Sequence, residues 1–336
     1  SNVNGEDFMG IKIQEVSIYH PKKRIENQHF INKYGQDLEK LLNHLGRKSR
    51  YLVDNNTENS LTMSVDAAKS CLKKANIKAS ELDIIVFVSD SVEHLIPTNA
   101  LLIRDAIDAC NCDLTYDMND NCIGMITAID SIATYMKSKS KYKKSLIVGA
   151  SYGSLLAKSD CELVNSTVGD GAAAILLTND EETGGVLNSA FHTDSKNHKY
   201  MVFPECGLSH IYDEELPIDS KKYAWVNHDV SYFSDEWVKL INKLLKEGNK
   251  SITDIKHFLF SQFSHADIKE TLNKLNVEVS SDTYTFVADE YGYTGCTSPF
   301  FALNTAIETK KINKGDLVIF CSVGSGYTMG AFLYKF

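Results

Sequence analysis

Cys122 is the residue in this chain whose type and setting most readily suggest chemistry. It lies in Tyr116-Asp117-Met118-Asn119-Asp120-Asn121-Cys122-Ile123-Gly124-Met125. A strand-like run from Leu114 to Met118 gives way to small polar residues. After it Ile123, Ile126, Ile129, Ile132 and Met136 recur at helical spacing. The thiol is therefore expected at a strand-to-helix turn, on the first residues of the helix. Unpaired backbone N–H groups and the positive end of the dipole there favour thiolate, the form that attacks carbonyl carbon. The competing reading of a free cysteine is a small buried hydrophobe. Asp120 would raise the thiol pKa if it pointed inward; a solvated or helix-capping role is the alternative.

Composition bounds what such a thiol can belong to. The 336 residues, 43% hydrophobic and 24% charged, suit one large soluble domain or two of ordinary size. Thirty-five basic against 44 acidic residues give a net charge of −9, which argues against a general nucleic-acid binder. No apolar run approaches the ~20 residues of a membrane-spanning helix. Ser1 to Asp7 are polar and acidic, unlike a secretory leader. The eight cysteines include one close pair, Cys110 and Cys112, and no ligand set for a metal. This usage implies a reduced, cytoplasmic protein without structural disulfides.

The elements that must position Cys122 alternate between strand and helix. Gly10 to Ile18 reads as a strand, Gln28 to Leu45 as helical, and Leu45 to Leu52 as a basic loop. Helices are expected from Thr62 to Ala75 and from Ala100 to Cys110, and buried strands from Leu82 to Ser89 and from Ser145 to Ala150. Gly169-Asp170-Gly171 is a tight turn feeding another strand. Glu181 to Tyr223 is a strand plus an irregular insert, and Ser231 to Lys246 an amphipathic helix. Strands at His257–Phe260, Thr285–Ala288 and Asp316–Cys321 and helices at Ile268–Leu275 and Pro299–Thr309 follow. Gly324-Ser325-Gly326 turns into the last strand. Both halves thus end in helix, buried strand, Gly-rich turn and strand, suggesting two similar α/β halves, residues 1–180 and 181–336.

The order of these motifs resembles the thiolase superfamily, and within it the β-ketoacyl-acyl carrier protein synthase III (3-oxoacyl-ACP synthase III) family. The resemblance runs from Gly10 to Phe336. It rests on Leu45-Gly46 with Arg50, Asp117 before Cys122-Ile123-Gly124, and Gly169-Asp170-Gly171-Ala172. Tyr291-Gly292 with Thr294, and Gly324-Ser325-Gly326-Tyr327-Thr328-Met329-Gly330, complete it. It implies a five-layered αβαβα fold of two duplicated halves, a homodimer, and a buried nucleophilic Cys reached by a phosphopantetheine arm. Coenzyme A or acyl carrier protein would supply that arm as substrate, with no permanently bound cofactor, and neither nucleic acid nor membrane would be a partner.

Carried over by motif, Cys122 is the nucleophile. Its N–H and that of Ser325 form the oxyanion hole for the tetrahedral adduct. The family's His-Gln-Ala-Asn appears as Ser261-Gln262-Phe263-Ser264, and the Asn of its Gly-Asn-Thr as Tyr293. The two groups that promote decarboxylation of malonyl carrier protein are thus replaced. A slipped register would offer His265 as a substitute base; the alternative for it is a capping or surface residue. Cys296 is either a second site thiol or a small packed residue. Arg47, Arg50 and the Lys137–Lys144 run could meet coenzyme A phosphates or an acidic carrier, while the family's coenzyme-A-contacting Arg appears as His44. The expected function is an acyltransferase that forms an acyl-Cys122 intermediate and passes it to an acceptor in a specialised pathway. The alternatives are a decarboxylating ketosynthase aided by His265 or Tyr293, and a non-catalytic subunit of a synthase heterodimer.

Overall fold

The computed structural model describes residues 10–180 and 183–336. The expected boundary at 180/181, and the N-terminal residues weighed above as a leader, fall on or beside positions outside that range. Among the described residues there are eleven strands: β1 Ile11–Tyr19, β2 Lys23–Glu26, β3 Ser49–Leu52, β4 Ile84–Val88, β5 Leu114–Met118, β6 Lys144–Ser151, β7 Gly171–Asn179, β8 Gly185–Thr193, β9 Ile255–Phe260, β10 Leu317–Gly324 and β11 Thr328–Lys335. One sheet has the order β1-β7-β6-β4-β5 and another β8-β11-β10-β9. In both, two antiparallel pairings lead from the edge into a parallel pair, β6 with β4 and β10 with β9. The second sheet therefore repeats the first without a counterpart of β5. That is the duplication expected from the repeated motif order.

Burial on both faces explains the continuous apolar runs. Every residue of Ile84–Val88 is buried, as parallel strands covered by helices require. Helices Gly124–Ser138 and Ser298–Glu308 lie between the sheets, where Ile129, Ile132, Phe300 and Leu303 share one core with Ile147, Ile175, Phe320 and Phe332. Helix Ser60–Ala75 covers the outer face of the first sheet. Helices Phe233–Glu247 and His265–Lys274 cover that of the second. The result is five layers, αβαβα.

Three readings change. The helical stretch Gln28–Leu45 is two helices, Asn27–Tyr34 and Leu38–Leu45, broken at Gly35 with φ of 115°. The basic loop after it contains β3, paired with β2. The expected strand Thr285–Ala288 is irregular and runs into the short helix Ala288–Tyr291, with only an isolated bridge between Phe258 and Tyr284 nearby.

Candidate active site

Parallel strands deliver their C-terminal ends to one side of a sheet, and both sheets use that side here. In the first, β4 and β5 are in register with Val88 opposite Met118. The chain leaving β4 carries Asp90 and the chain leaving β5 carries Cys122. In the second, Cys321 of β10 lies opposite Phe260 of β9. The chains leaving them carry Ser325 and Ser261, and the Ser261 N–H is held by the Cys321 carbonyl at 2.8 Å. Asp90, Cys122, Tyr293 and Ser325 line one cavity of about 190 Å³, and Phe203, Tyr223, Trp225, Phe263 and Tyr327 supply much of its apolar wall.

The turn that presents Cys122 is built from its neighbours. Asp117 accepts from the Asn99 and Ala100 N–H groups and from the Asn99 amide, all at 2.8–2.9 Å, fastening the end of β5 to helix Asn99–Ala106. Asn121 adopts φ of 50°, a left-handed conformation that Asn tolerates. Asp120 accepts from the Thr127 hydroxyl at 2.6 Å, and it does not cap the helix, whose cap residue is Ile123 with no side-chain cap hydrogen bond. Helix Gly124–Ser138 begins just after Cys122, with Ile123 as its cap residue. The closing turn comes close because Gly324 has no side chain: a Cβ there would stand 3.1 Å from Asn121 Cβ and 3.4 Å from the Cys122 nitrogen.

Ser325, Ser261 and Tyr293 all reach this point. The Ser325 N–H and the Tyr293 hydroxyl both lie beside the Cys122 sulfur and lower its pKa. Ser261, 1% exposed, donates from Oγ to the Tyr293 hydroxyl at 3.5 Å. A chain of hydroxyls thus ends beside the thiol where the family's imidazole and amide are expected. Tyr293 is locked by its backbone, its N–H on the Thr167 carbonyl at 2.9 Å and its carbonyl accepting from the Gly169 N–H at 3.0 Å. Gly169 is required for that approach: a Cβ would lie 1.8 Å from the Tyr291 carbonyl oxygen.

The thiol is not the ready thiolate that its position before a helix suggests. Burial and then the neighbouring Asp90 carboxylate push it up to about 12, against the smaller opposing effect of the Tyr293 and Ser325 hydrogen bonds. At pH 7 the resting group is therefore the thiol. Alkylation of Cys122 by iodoacetamide, followed by peptide mass, is expected to rise about tenfold per pH unit from 7 to 10 without levelling. A plateau near pH 8 would mean an activated thiolate instead.

Other expected site residues lie elsewhere. His265 is the first residue of its helix, stacked on Phe286 at 4.0 Å and hydrogen-bonded to the Tyr284 hydroxyl at 2.7 Å. It does not line the Cys122 cavity. Burial, with Lys269 and Arg47, lowers it to about 4. Its imidazole is spent in that aromatic packing, so the slipped register is discarded. Arg47 and Arg50 are 1% and 0% exposed. Arg47 donates to the Leu45, Thr167 and Phe263 carbonyls, and Arg50 to the Ile25 and Ser166 carbonyls and the Asn27 side chain. These arginines brace the site from behind instead of meeting phosphates at the surface. His44 is exposed on the last turn of its helix. Cys296 is packed, its thiol directed at the Val88 and Ala150 carbonyls.

Asp90 is the residue the sequence reading missed. The available signal was a carboxylate directly after a wholly apolar strand, on the side where parallel strands end. Tyr327 was also missed as a wall of the cavity; its hydroxyl meets His228 Nε2 at 2.7 Å, and His228 stacks on Tyr200.

Comparison with known proteins agrees with this geometry. Residues 116–195 match the family profile described as 3-oxoacyl-[acyl-carrier-protein (ACP)] synthase III, and residues 245–336 the one described as its C-terminal part. The chain is 26% identical over 330 residues to the beta-ketoacyl-[acyl-carrier-protein] synthase III of Koribacter versatilis, covering 96% of this chain and 97% of that one. It is 27% identical over 329 residues to the Clostridium perfringens protein of the same name, covering 96% and 98%. The crystal structure of the Aquifex aeolicus 3-oxoacyl-[acyl-carrier-protein] synthase III superposes with a TM-score of 0.85 at 22% identity, covering 97% of this chain and all of that one. The priming β-ketosynthase of the R1128 polyketide pathway superposes at 0.88 with 17% identity, covering 98% and 97%. With its duplicated five-layered fold, and a Cys and a Gly-rich turn meeting at the strand ends, the chain belongs to the 3-oxoacyl-ACP synthase III family of the thiolase superfamily.

Proposed function

We propose that this protein is an acyltransferase. It takes an acyl group from a coenzyme A or carrier-protein thioester onto Cys122 and hands it to an acceptor other than malonyl carrier protein. The observation that carries this reading is the pairing of Cys122 with the Ser325 N–H in a site whose imidazole and amide positions hold Ser261 and Tyr293. Loading needs a nucleophile and an oxyanion hole. The Cys122 sulfur attacks the thioester carbon, the oxyanion is received by the Cys122 and Ser325 N–H groups, and the donor leaves as a free thiol. The resting group is protonated, so its proton passes to the departing donor sulfur as the C–S bond to the donor breaks.

Decarboxylative condensation needs more. An enolate must be stabilised by donors aimed at its oxygen, and Ser261 is too weakly basic to stand in for imidazole. The Tyr293 hydroxyl lies beside the sulfur and its ring would occupy space that malonate needs. The protein is accordingly proposed to work in a specialised pathway, as a cytoplasmic homodimer. Among the described residues no helix is long and apolar enough to cross a membrane. Challenging the acylated protein with malonyl carrier protein and collecting carbon dioxide tests this: no release above the uncatalysed level is expected, and stoichiometric release would instead establish a ketosynthase.

A further inference from the structure

We infer that Asp90 is the acceptor-binding carboxylate of this site and that the acceptor is an amine, bound as its cation and acylated on nitrogen. This inference rests on the acyl-Cys122 reading above and names the acceptor class for it.

Asp90 is the only charged residue among those lining the cavity, whose wall is otherwise apolar, aromatic or neutral. Its side chain is exposed and lines the cavity. Its own backbone N–H stabilises it, and among the described residues no cation is paired with it. Burial consequently raises its carboxyl above the ordinary value. The flanking residues hold it rigidly. Ser89 Oγ donates to the Ala150 carbonyl at 2.8 Å and accepts from the Ser91 N–H at 2.9 Å, and Ser91 Oγ accepts from the Tyr152 N–H at 2.9 Å. An accessible carboxylate in an otherwise uncharged wall is available to pair with an incoming cation, and faces such as those of Trp225, Phe263 and Tyr327 favour the same charge.

The same position suits the transfer. Asp90 takes one proton from the bound ammonium, releasing the nitrogen lone pair. Nitrogen attacks the acyl carbon, the C–N bond forms, and the C–S bond to Cys122 breaks. The surplus nitrogen proton passes to the departing sulfur, restoring the thiol, and Asp90 later gives its proton to solvent. Net, an ammonium and an acyl-cysteine become an amide, a thiol and a proton.

Two measurements test this separately from loading. Calorimetric titration of the unacylated protein with phenethylamine and with 2-phenylethanol, its neutral counterpart, is expected to favour the amine, and Asp90→Asn to weaken amine binding at least about 30-fold. Equal affinity for the two probes, or an unchanged Asp90→Asn, overturns the inference whatever the outcome of loading. In the second, protein acylated from butyryl- or octanoyl-coenzyme A is mixed with each probe and its mass followed. Amide formation with phenethylamine in the native protein is expected to outpace ester formation and to fall in Asp90→Asn. Loading of Asp90→Asn should become faster, because the charge that raises the thiol is gone. Opposite signs for loading and discharge exclude a merely unfolded variant, and so does a melting temperature no lower than native, expected once an unpaired carboxylate is removed. Ester formation that matches or exceeds amide formation sinks the inference and leaves the acyl-enzyme reading intact.

Discussion

Replacing Ser261 by His and Tyr293 by Asn together is expected to give the acylated protein a reaction with malonyl carrier protein that the native chain is proposed not to catalyse. Carbon dioxide should be released about 10^2- to 10^4-fold above background, the range that a positioned acid–base group supplies. The physical basis is that both positions already face the thiol. Ser261 lies at the end of β9, fixed by the Cys321 carbonyl, and its Oγ reaches the Tyr293 hydroxyl, which in turn lies beside the Cys122 sulfur. An imidazole at 261 would be held by the same backbone. Asn at 293 would clear the phenol ring and restore an amide donor. Either change alone should give much less, because groups that act on one intermediate do not contribute additively. A folded double variant that still loads acyl groups but releases no carbon dioxide would show that more than these two side chains separates this site from a condensing one.

The second large effect concerns stability. Arg47→Ala is expected to cost about 3–5 kcal/mol, read from urea unfolding. Its guanidinium joins three separate segments through the Leu45, Thr167 and Phe263 carbonyls. Removing it leaves the Leu45 and Phe263 carbonyls without this partner and the Thr167 carbonyl with the Tyr293 N–H alone. Thr167 also holds the Tyr293 N–H, so the site should loosen as the fold weakens. Arg47→Lys should recover little, since a single ammonium cannot span the fan that a planar guanidinium covers. Burial and Arg50 already lower the Arg47 pKa to about 9, which marks how dry this position is. A loss below about 1 kcal/mol would mean that water reaches the three carbonyls.

How much of this was legible in the chain follows from what each signal encodes. Apolar runs such as Ile84–Val88 and Val318–Cys321 report burial directly, and the repeated helix–strand–turn–strand order reports duplication; both survive intact. Gly35, which breaks one expected helix into two, was readable in principle. The strand expected at Thr285–Ala288 failed because β propensity over four residues does not create a pairing partner. For the site, motif order located Cys122, Ser325, Ser261 and Tyr293 because each sits at a turn whose backbone the family motif constrains. Charge type alone misplaced Arg47 and Arg50: a run of basic residues reads as a surface patch, and nothing local tells that carbonyls from distant segments surround them. His265 erred for the same reason, its stacking partner Phe286 lying on another segment. Asp90 depends on the β4–β5 register, a long-range fact. The thiol's resting state could not be read locally either, since the helix start favours thiolate while burial and Asp90 outweigh it.

The most direct measurement is the intact mass of the protein after incubation with a panel of acyl-coenzyme A and acyl-carrier thioesters, with Cys122→Ala alongside. The account predicts one acyl group added by at least one donor, located on Cys122 and absent from the alanine variant. No Cys122-dependent adduct with any donor would contradict it and leave a non-catalytic subunit as the reading that fits.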